Sequence, residues 1–401
     1  MKAIIPIGSP IKVFETAVTT ILRTAETYTD NILILYPPFT SPYVKDIIEF
    51  LSQITSLKIE IKQIDYRIKD EEIDKILSEA DLLIPSASSV IYIIKLVERA
   101  TKLGIKIDHI MFPFGAWYTL YYPFIPRFIV PFLSGKKETK HIVNYEKANK
   151  SIDHWLKGRE LSKIIAKISL EFNAKENKNY SINDEVNICI GEDLKLKDDN
   201  NCLIKLNKKG LFLNDVKTTP KEILEKTFHD TESLPFILGF YNIKAKIDEK
   251  EYDIRELLRK FRGIVIDTNL IYNGIVFYPD IQTYLPYCAY IEIANNKSSF
   301  KKTKTKQIAN DLAWIYVQEL MNRSTIIPTP VFFCDAIIPM IDPLLIKDTL
   351  ILTSDQSALN HWKNVITNAT VGQLVLEEEK DFNDLSFSFL LLYWILKEYN
   401  K

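Results

Sequence analysis

The feature that most constrains this chain is a repeated alternation of two patterns. In the first third, short strand-like segments at 2–7, 31–36, 57–65, 81–85 and 105–112 are separated by segments with helical spacing, such as Val13, Val18, Ile21 and Leu22. Runs of this length suit strands buried on both faces, and intervening helices act as crossovers between parallel neighbours. The pattern predicts an α/β fold with a parallel-rich sheet over residues 1–150. Gly104 is expected to close the helix that SASSV opens. The alternation resumes from 261 to 401. Between them, 151–260 reads as a small α+β connector. It comprises a helix over about 150–172, a polar linker at 173–184, short strands in VNICIG, CLIKL and GLFL, and helices beginning near Pro220 and Ile254.

With 401 residues and a net charge of −1, no global field marks a nucleic-acid binder, so any basic surface must be local. The longest apolar stretch, 110–133, contains Pro113, Pro123, Pro126, Pro131 and Arg127. A straight membrane-spanning helix is therefore not expected, and a buried or dimer-forming aromatic segment fits better. The opening MKAIIPIGSP turns before a leader could form, so a cytoplasmic protein is expected. Cys189, Cys202, Cys288 and Cys334 form no CxxC pair, which argues against zinc and predicts buried, reduced thiols.

Chemistry concentrates in the last block. GIVIDTNLI ends an apolar run on Asp267, and TLILTSDQSAL places Ser354 and Asp355 after another. In a parallel sheet both acids reach the same carboxyl edge, where open α/β sheets carry their sites. Glu292 in YIEIANNK and Asp335 in FFCDAII lie between them, with Glu319 in LAWIYVQELM as the alternative to Glu292. Any one acid could be a helix cap. Four together repel unless a cation neutralises them, and hard oxygen ligands select Mg²⁺ or Mn²⁺. The basic run 297–306 around Phe300 is either a solvated face or a track for a single strand's backbone.

In order and approximate spacing, VIDTNLI, the acid of YIEI, DAII and LTSDQSAL resemble a PIN-domain nuclease. The resemblance implies a Rossmann-like α/β/α domain over 261–401 that cuts single-stranded RNA. It further implies Asp267, Glu292, Asp335 and Asp355 as the acidic tetrad, with Asp267, Asp335 and Asp355 as metal ligands and Asn269 and Ser354 in support.

In the first block, Gly8 and Ser9 follow one strand, while Ser86, Ala87, Ser88 and Ser89 follow another. Such loops at helix N-termini suit phosphate. Without GxGxxG or a Walker lysine, a conventional nucleotide site is not expected. The strand–GSP loop, the fivefold alternation and the SASS turn resemble a CARF domain, the Rossmann-like sensor of type III CRISPR effectors. That resemblance implies a homodimer binding cyclic oligoadenylate, such as cyclic tetra-adenylate, through Gly8, Ser9, Ser86, Ser88 and Ser89. Arg127 and Lys136 either meet ligand phosphates or are ordinary surface charges. The combination implies a ligand-activated endoribonuclease in antiviral defence. Two alternatives stand beside it: a CARF-like domain that cleaves the ring itself, and a non-catalytic sensor.

Overall fold

A computed structural model of the chain describes residues 1–401 except 10–11, 66, 113–114, 118, 176–186, 198–200, 229–233, 299–302, 332, 379 and 400–401. The expected linker at 173–184 therefore falls largely outside the described residues. Two compact units are present: 1–155 with 165–186, and 156–164 with 187–401. Residues of the expected connector occur in both.

The first unit holds strands β1 (Ala3–Pro6), β2 (Ile32–Tyr36), β3 (Ile59–Gln63), β4 (Leu82–Leu83) and β5 (Lys106–Ile107). Their order is β3-β2-β1-β4-β5, and every neighbouring pair is parallel. Helices Val13–Thr27, Ser41–Ile54, Asp70–Leu77 and Val90–Lys102 connect them. Because side chains alternate across a strand, Ile4 enters the core with Leu33, Leu83, Ile76 and Leu96, while Ala3 and Ile5 are buried on the opposite face. Covered faces explain why β1, β2 and β4 read as continuous apolar runs, whereas the edge strand β3, IEIKQ, is largely exposed and carries charges.

The proline-rich stretch 110–133 forms short turns at Gly115–Trp117 and Arg127–Ile129, with Trp117, Tyr122, Phe124 and Phe132 buried. Among the described residues, no helix is long and apolar enough to cross a membrane. The single helix expected over 150–172 is two helices, Tyr145–Trp155 and Glu160–Ala174. Gly158, at φ +77° between them, adopts the left-handed conformation that ends a helix.

In the second unit, β6 (Ile188–Ile190), β7 (Leu196–Lys197), β8 (Ile204–Asn207), β9 (Gly210–Leu213) and β10 (Val216–Lys217) make an antiparallel sheet ordered β10-β9-β8-β6-β7. A seven-stranded sheet follows, built from β11 (Asn242–Ile247), β12 (Lys250–Asp253), β13 (Ile264–Val265), β14 (Thr283–Pro286), β15 (Thr325–Ile327), β16 (Leu350–Thr353) and β17 (Thr370–Glu377). Its order is β12-β11-β17-β16-β13-β14-β15. From β13 to β17 the pairing is parallel, whereas β11 runs antiparallel to β12 and β17. Although β11 and β12 precede residue 261, they complete this sheet.

The reduced thiols expected from the sequence are not what the structure shows. Cys189 is bonded to Cys202, and Cys288 to Cys334, with Cα atoms 5.1 and 5.5 Å apart. The second pair is separated by 46 residues, so only tertiary folding brings it together.

Candidate active site

β13 is central in the parallel part of its sheet, between β14 and β16. The buried Ile266 N–H donates to the Tyr284 carbonyl at 2.9 Å, extending the pairing to the residue before Asp267. Asp267 is 1% exposed and caps the helix Thr268–Tyr272, its Oδ1 accepting the Thr268 N–H at 2.8 Å. Its Oδ2 accepts from Asn269 Nδ2 at 3.0 Å, and the same amide reaches Thr353 Oγ1 at 3.4 Å. Capping and an inward-facing carboxylate thus coexist. Burial pushes the Asp267 carboxyl up to about 6, and the Asp335 charge adds to the rise. The Asn269, Thr353 and Thr268 hydrogen bonds oppose it.

The other acids are linked to this residue or to one another without grouping as three. Glu292, on the helix Tyr287–Lys297, accepts the Thr268 hydroxyl at 3.1 Å. Asp335 lies in the one-turn helix Cys334–Ile337, and its carboxyl is also raised, by loss of water and then by the Asp355 charge. Asp355 follows β16 and caps the helix Gln356–Val365, its Oδ1 accepting from the Ser357 and Ala358 N–H groups at 2.7 and 3.0 Å. Ser354 is exposed in the bend before it. Among the described residues, no three His, Cys, Asp or Glu side chains group as a site that could hold a metal ion.

Glu319 belongs elsewhere. It lies one turn before the end of the helix Lys304–Arg323, and Ser324, just beyond, hydrogen-bonds Thr283 at the start of β14. That is the amino edge of the sheet, opposite Asp267. Glu319 is buried there with Arg323 and Arg159 as its nearest charges.

The two first-unit loops also meet, at the switch point between β1 and β4. The Gly8 and Ser9 N–H groups both donate to the Ala87 carbonyl, at 3.0 and 3.1 Å, so the fold already uses them. Ser86 Oγ accepts the Ile110 N–H at 2.8 Å. Ser89 precedes the helix Val90–Lys102 without a side-chain capping bond. The Ser88 hydroxyl is buried and has no hydrogen-bond partner among the described residues. A Cβ placed on Gly8 would stand 3.6 Å from it.

Arg127 does not face a ligand. It is 8% exposed, donates to Tyr145 Oη at 2.5 Å and pairs with the fully buried Glu26 at 3.2 Å. Its position inside an aromatic run reflects a buried ion network that Arg23 and Glu138 complete. Lys136 stacks on the Tyr28 ring, 4.1 Å from its centroid. Of the basic run 297–306, residues 299–302 lie outside the described residues. Lys297 stacks over Trp314, and Lys304 Nζ donates to the Tyr399 carbonyl.

Three features escaped the sequence reading. Trp362, fully buried, donates its indole N–H to the Asp335 carbonyl at 2.9 Å. The Cys288–Cys334 disulfide joins the helices carrying Glu292 and Asp335. A cavity of about 750 Å³ is lined by Lys217 and Arg255, from a stretch that shows no chemistry in sequence, and by Lys380 and Asp384 of the last block among others. Lys380 there lies over the Phe277 and Tyr278 rings, and burial pushes its ammonium down to about 8.

No family model and no curated protein matches the chain. Among solved structures it is similar to UDP-GlcNAc 2-epimerase from Neisseria meningitidis bound to UDP-GlcNAc, at 11% identity, covering 100% of this chain and 93% of that one, with a TM-score of 0.23. A likeness that slight carries no argument about fold or function.

Proposed function

We propose that the chain is a cyclic oligoadenylate-activated, metal-dependent endoribonuclease, working as a homodimer in type III CRISPR antiviral defence. The observation that carries the reading is Asp267. A carboxylate buried at the carboxyl end of the central parallel strand, with Glu292 held through Thr268 and with Asp335 and Asp355 following in series, is unfavourable for folding alone. Strong pKa perturbation of this kind is characteristic of functional sites.

What supports a divalent cation is the chemistry of the donors and not a preformed cluster of three. The charges acting most strongly on Asp267 and Asp335 are those of other carboxylates, and their oxygens are the hard ligands that Mg²⁺ and Mn²⁺ prefer. Asp267, Asp335 and Asp355 would hold the ion, which when bound polarises the scissile phosphodiester and activates water. Asn269 fixes the Asp267 carboxylate through Oδ2, and Asp355 keeps Oδ2 for the site because its cap uses Oδ1. Glu292, oriented by the Thr268 hydroxyl, orients the attacking water.

For the sensor, support comes from Ser88. A buried hydroxyl without a partner among the described residues, at the start of the helix Val90–Lys102 and beside the β1 loop, suits a phosphate oxygen. The test is cleavage of single-stranded RNA with Mn²⁺ or Mg²⁺, with and without cyclic tetra-adenylate. Ligand-stimulated cutting should fall at least about 100-fold in Asp267→Asn, as expected when a charge-stabilising group is lost. Stimulated cutting that survives the substitution would sink the proposed site. Consumption of the ring without RNA cutting would favour the ring-cleaving alternative.

A further inference from the structure

We propose that Trp362 and the Cys288–Cys334 disulfide are positioning elements that hold the Asp335 turn between the helix carrying Glu292 and the helix that Asp355 caps. The inference rests on the metal-site reading of Asp267, Asp335 and Asp355.

Asp267 sits at the end of a paired strand, and Asp355 is locked by two backbone N–H groups of its own helix. Asp335 has neither support. Its helix, Cys334–Ile337, is a single turn, too short to persist by its own hydrogen bonds. Before it, Phe333 and Val331 are open to solvent, 79% and 59% exposed. Nothing in its own turn therefore fixes where Asp335 stands between the helix carrying Glu292 and the helix that Asp355 caps.

Two ties hold the turn, and each begins on an element that carries another acid. Cys334 is bonded to Cys288, whose own N–H donates to Thr329 Oγ1 at 2.8 Å. Cys288 and Glu292 are four residues apart on one helix, so they share a face. The bond therefore anchors the Asp335 turn beside Glu292. From the other side, the indole of Trp362, on the helix that Asp355 caps, holds the Asp335 main-chain carbonyl. Outer partners of metal ligands are typically worth about 10- to 100-fold in affinity.

The disulfide tie is reversible. Reduction by dithiothreitol breaks the S–S bond, adds two electrons and two protons to give two thiols, and closes the reagent to its cyclic disulfide. Both sulfurs are on buried residues, so paired substitution is the cleaner experiment.

Mn²⁺ binding to the full-length protein is measured by electron paramagnetic resonance of the free ion, alongside kcat and KM for RNA. Wild type should bind Mn²⁺, and Asp267→Asn should lose binding. Cys288→Ala/Cys334→Ala and Trp362→Phe should each weaken it about 10-fold or more, lowering kcat at fixed Mn²⁺ and leaving KM for RNA unchanged. Excess Mn²⁺ should restore kcat. Cys189→Ala/Cys202→Ala, which opens the other disulfide, should leave affinity within about twofold, well short of that effect. If both tether variants bind Mn²⁺ as tightly as wild type while Asp267→Asn does not, this inference falls and the metal-site reading stands. If wild type binds no Mn²⁺, both fall.

Discussion

Replacing Asp267 with Asn should make the metal-free protein more stable at neutral pH. The carboxyl rises from an ordinary 3.8 to about 6 in the fold, chiefly because burial disfavours its charge. The folded state thus binds the proton more tightly than the unfolded chain. Wild-type stability from this group is fully present below about pH 4 and is lost as pH rises through about 6. A shift of about two units corresponds to about 3 kcal/mol. Asn carries no charge, but its amide cannot accept from both Thr268 N–H and Asn269 Nδ2, so one hydrogen bond worth about 1 kcal/mol is lost. The net gain at pH 7.5 is about 2 kcal/mol, or several degrees in Tm for a unit of this size. At pH 4 the charge advantage is gone, the hydrogen-bond loss remains, and the variant should melt below wild type. The assay is thermal unfolding in chelator across this pH range. Saturating Mn²⁺ should then raise the wild-type Tm and not that of the variant. An Asp267→Asn protein that melts at or below wild type at pH 7.5, or a difference that does not change with pH, would refute the reasoning.

Asp355→Asn should keep the helix cap and lose RNA cutting, whereas Asp355→Ala should lose both and melt lower by about 1 kcal/mol; full activity in the Asn variant would reduce Asp355 to a cap. Gly263→Ala should destabilise by about 1–3 kcal/mol, because a Cβ there would stand 2.5 Å from the Gln282 carbonyl oxygen and 2.8 Å from Tyr284; unchanged chemical denaturation would contradict the close β13–β14 approach. Arg127→Met should cost about 3 kcal/mol in unfolding of the first unit by leaving buried Glu26 short of a partner. Unchanged stability with lost ligand binding would instead return Arg127 to the ligand site.

The parallel cores were legible because each buried strand is a continuous apolar run and each crossover helix has a regular period. The β11–β12 hairpin was not, because its membership depends on pairing with β17, more than 120 residues away, and local pattern does not encode that partner. The break at Gly158 had a local signal, a glycine between helical segments, but its effect depends on a positive φ that composition alone does not specify. The burial of Arg127 was not legible because a charge within an aromatic run looks the same whether it stands at the surface or meets a carboxylate 101 residues away. The disulfides were missed because spacing excludes a zinc motif without revealing which cysteines meet.

Of the candidate site, the residues that the backbone positions directly were the easiest to identify. Asp267 and Asp355 end apolar runs, and each also caps the helix that follows, so one short motif specifies both its placement and its orientation. Capping therefore does not compete with a catalytic role here: with Oδ1 of each residue bound to its own backbone, rotation is restricted and the second oxygen is directed by the same bond. Asp335 is different in kind. Its turn is positioned by a disulfide and an indole from two other helices, neither visible in FFCDAII. An acid held by its own motif can be found from sequence, whereas an acid held by distant partners needs the fold. That asymmetry is why tether substitutions, rather than changes near Asp267, most directly probe how the site is assembled.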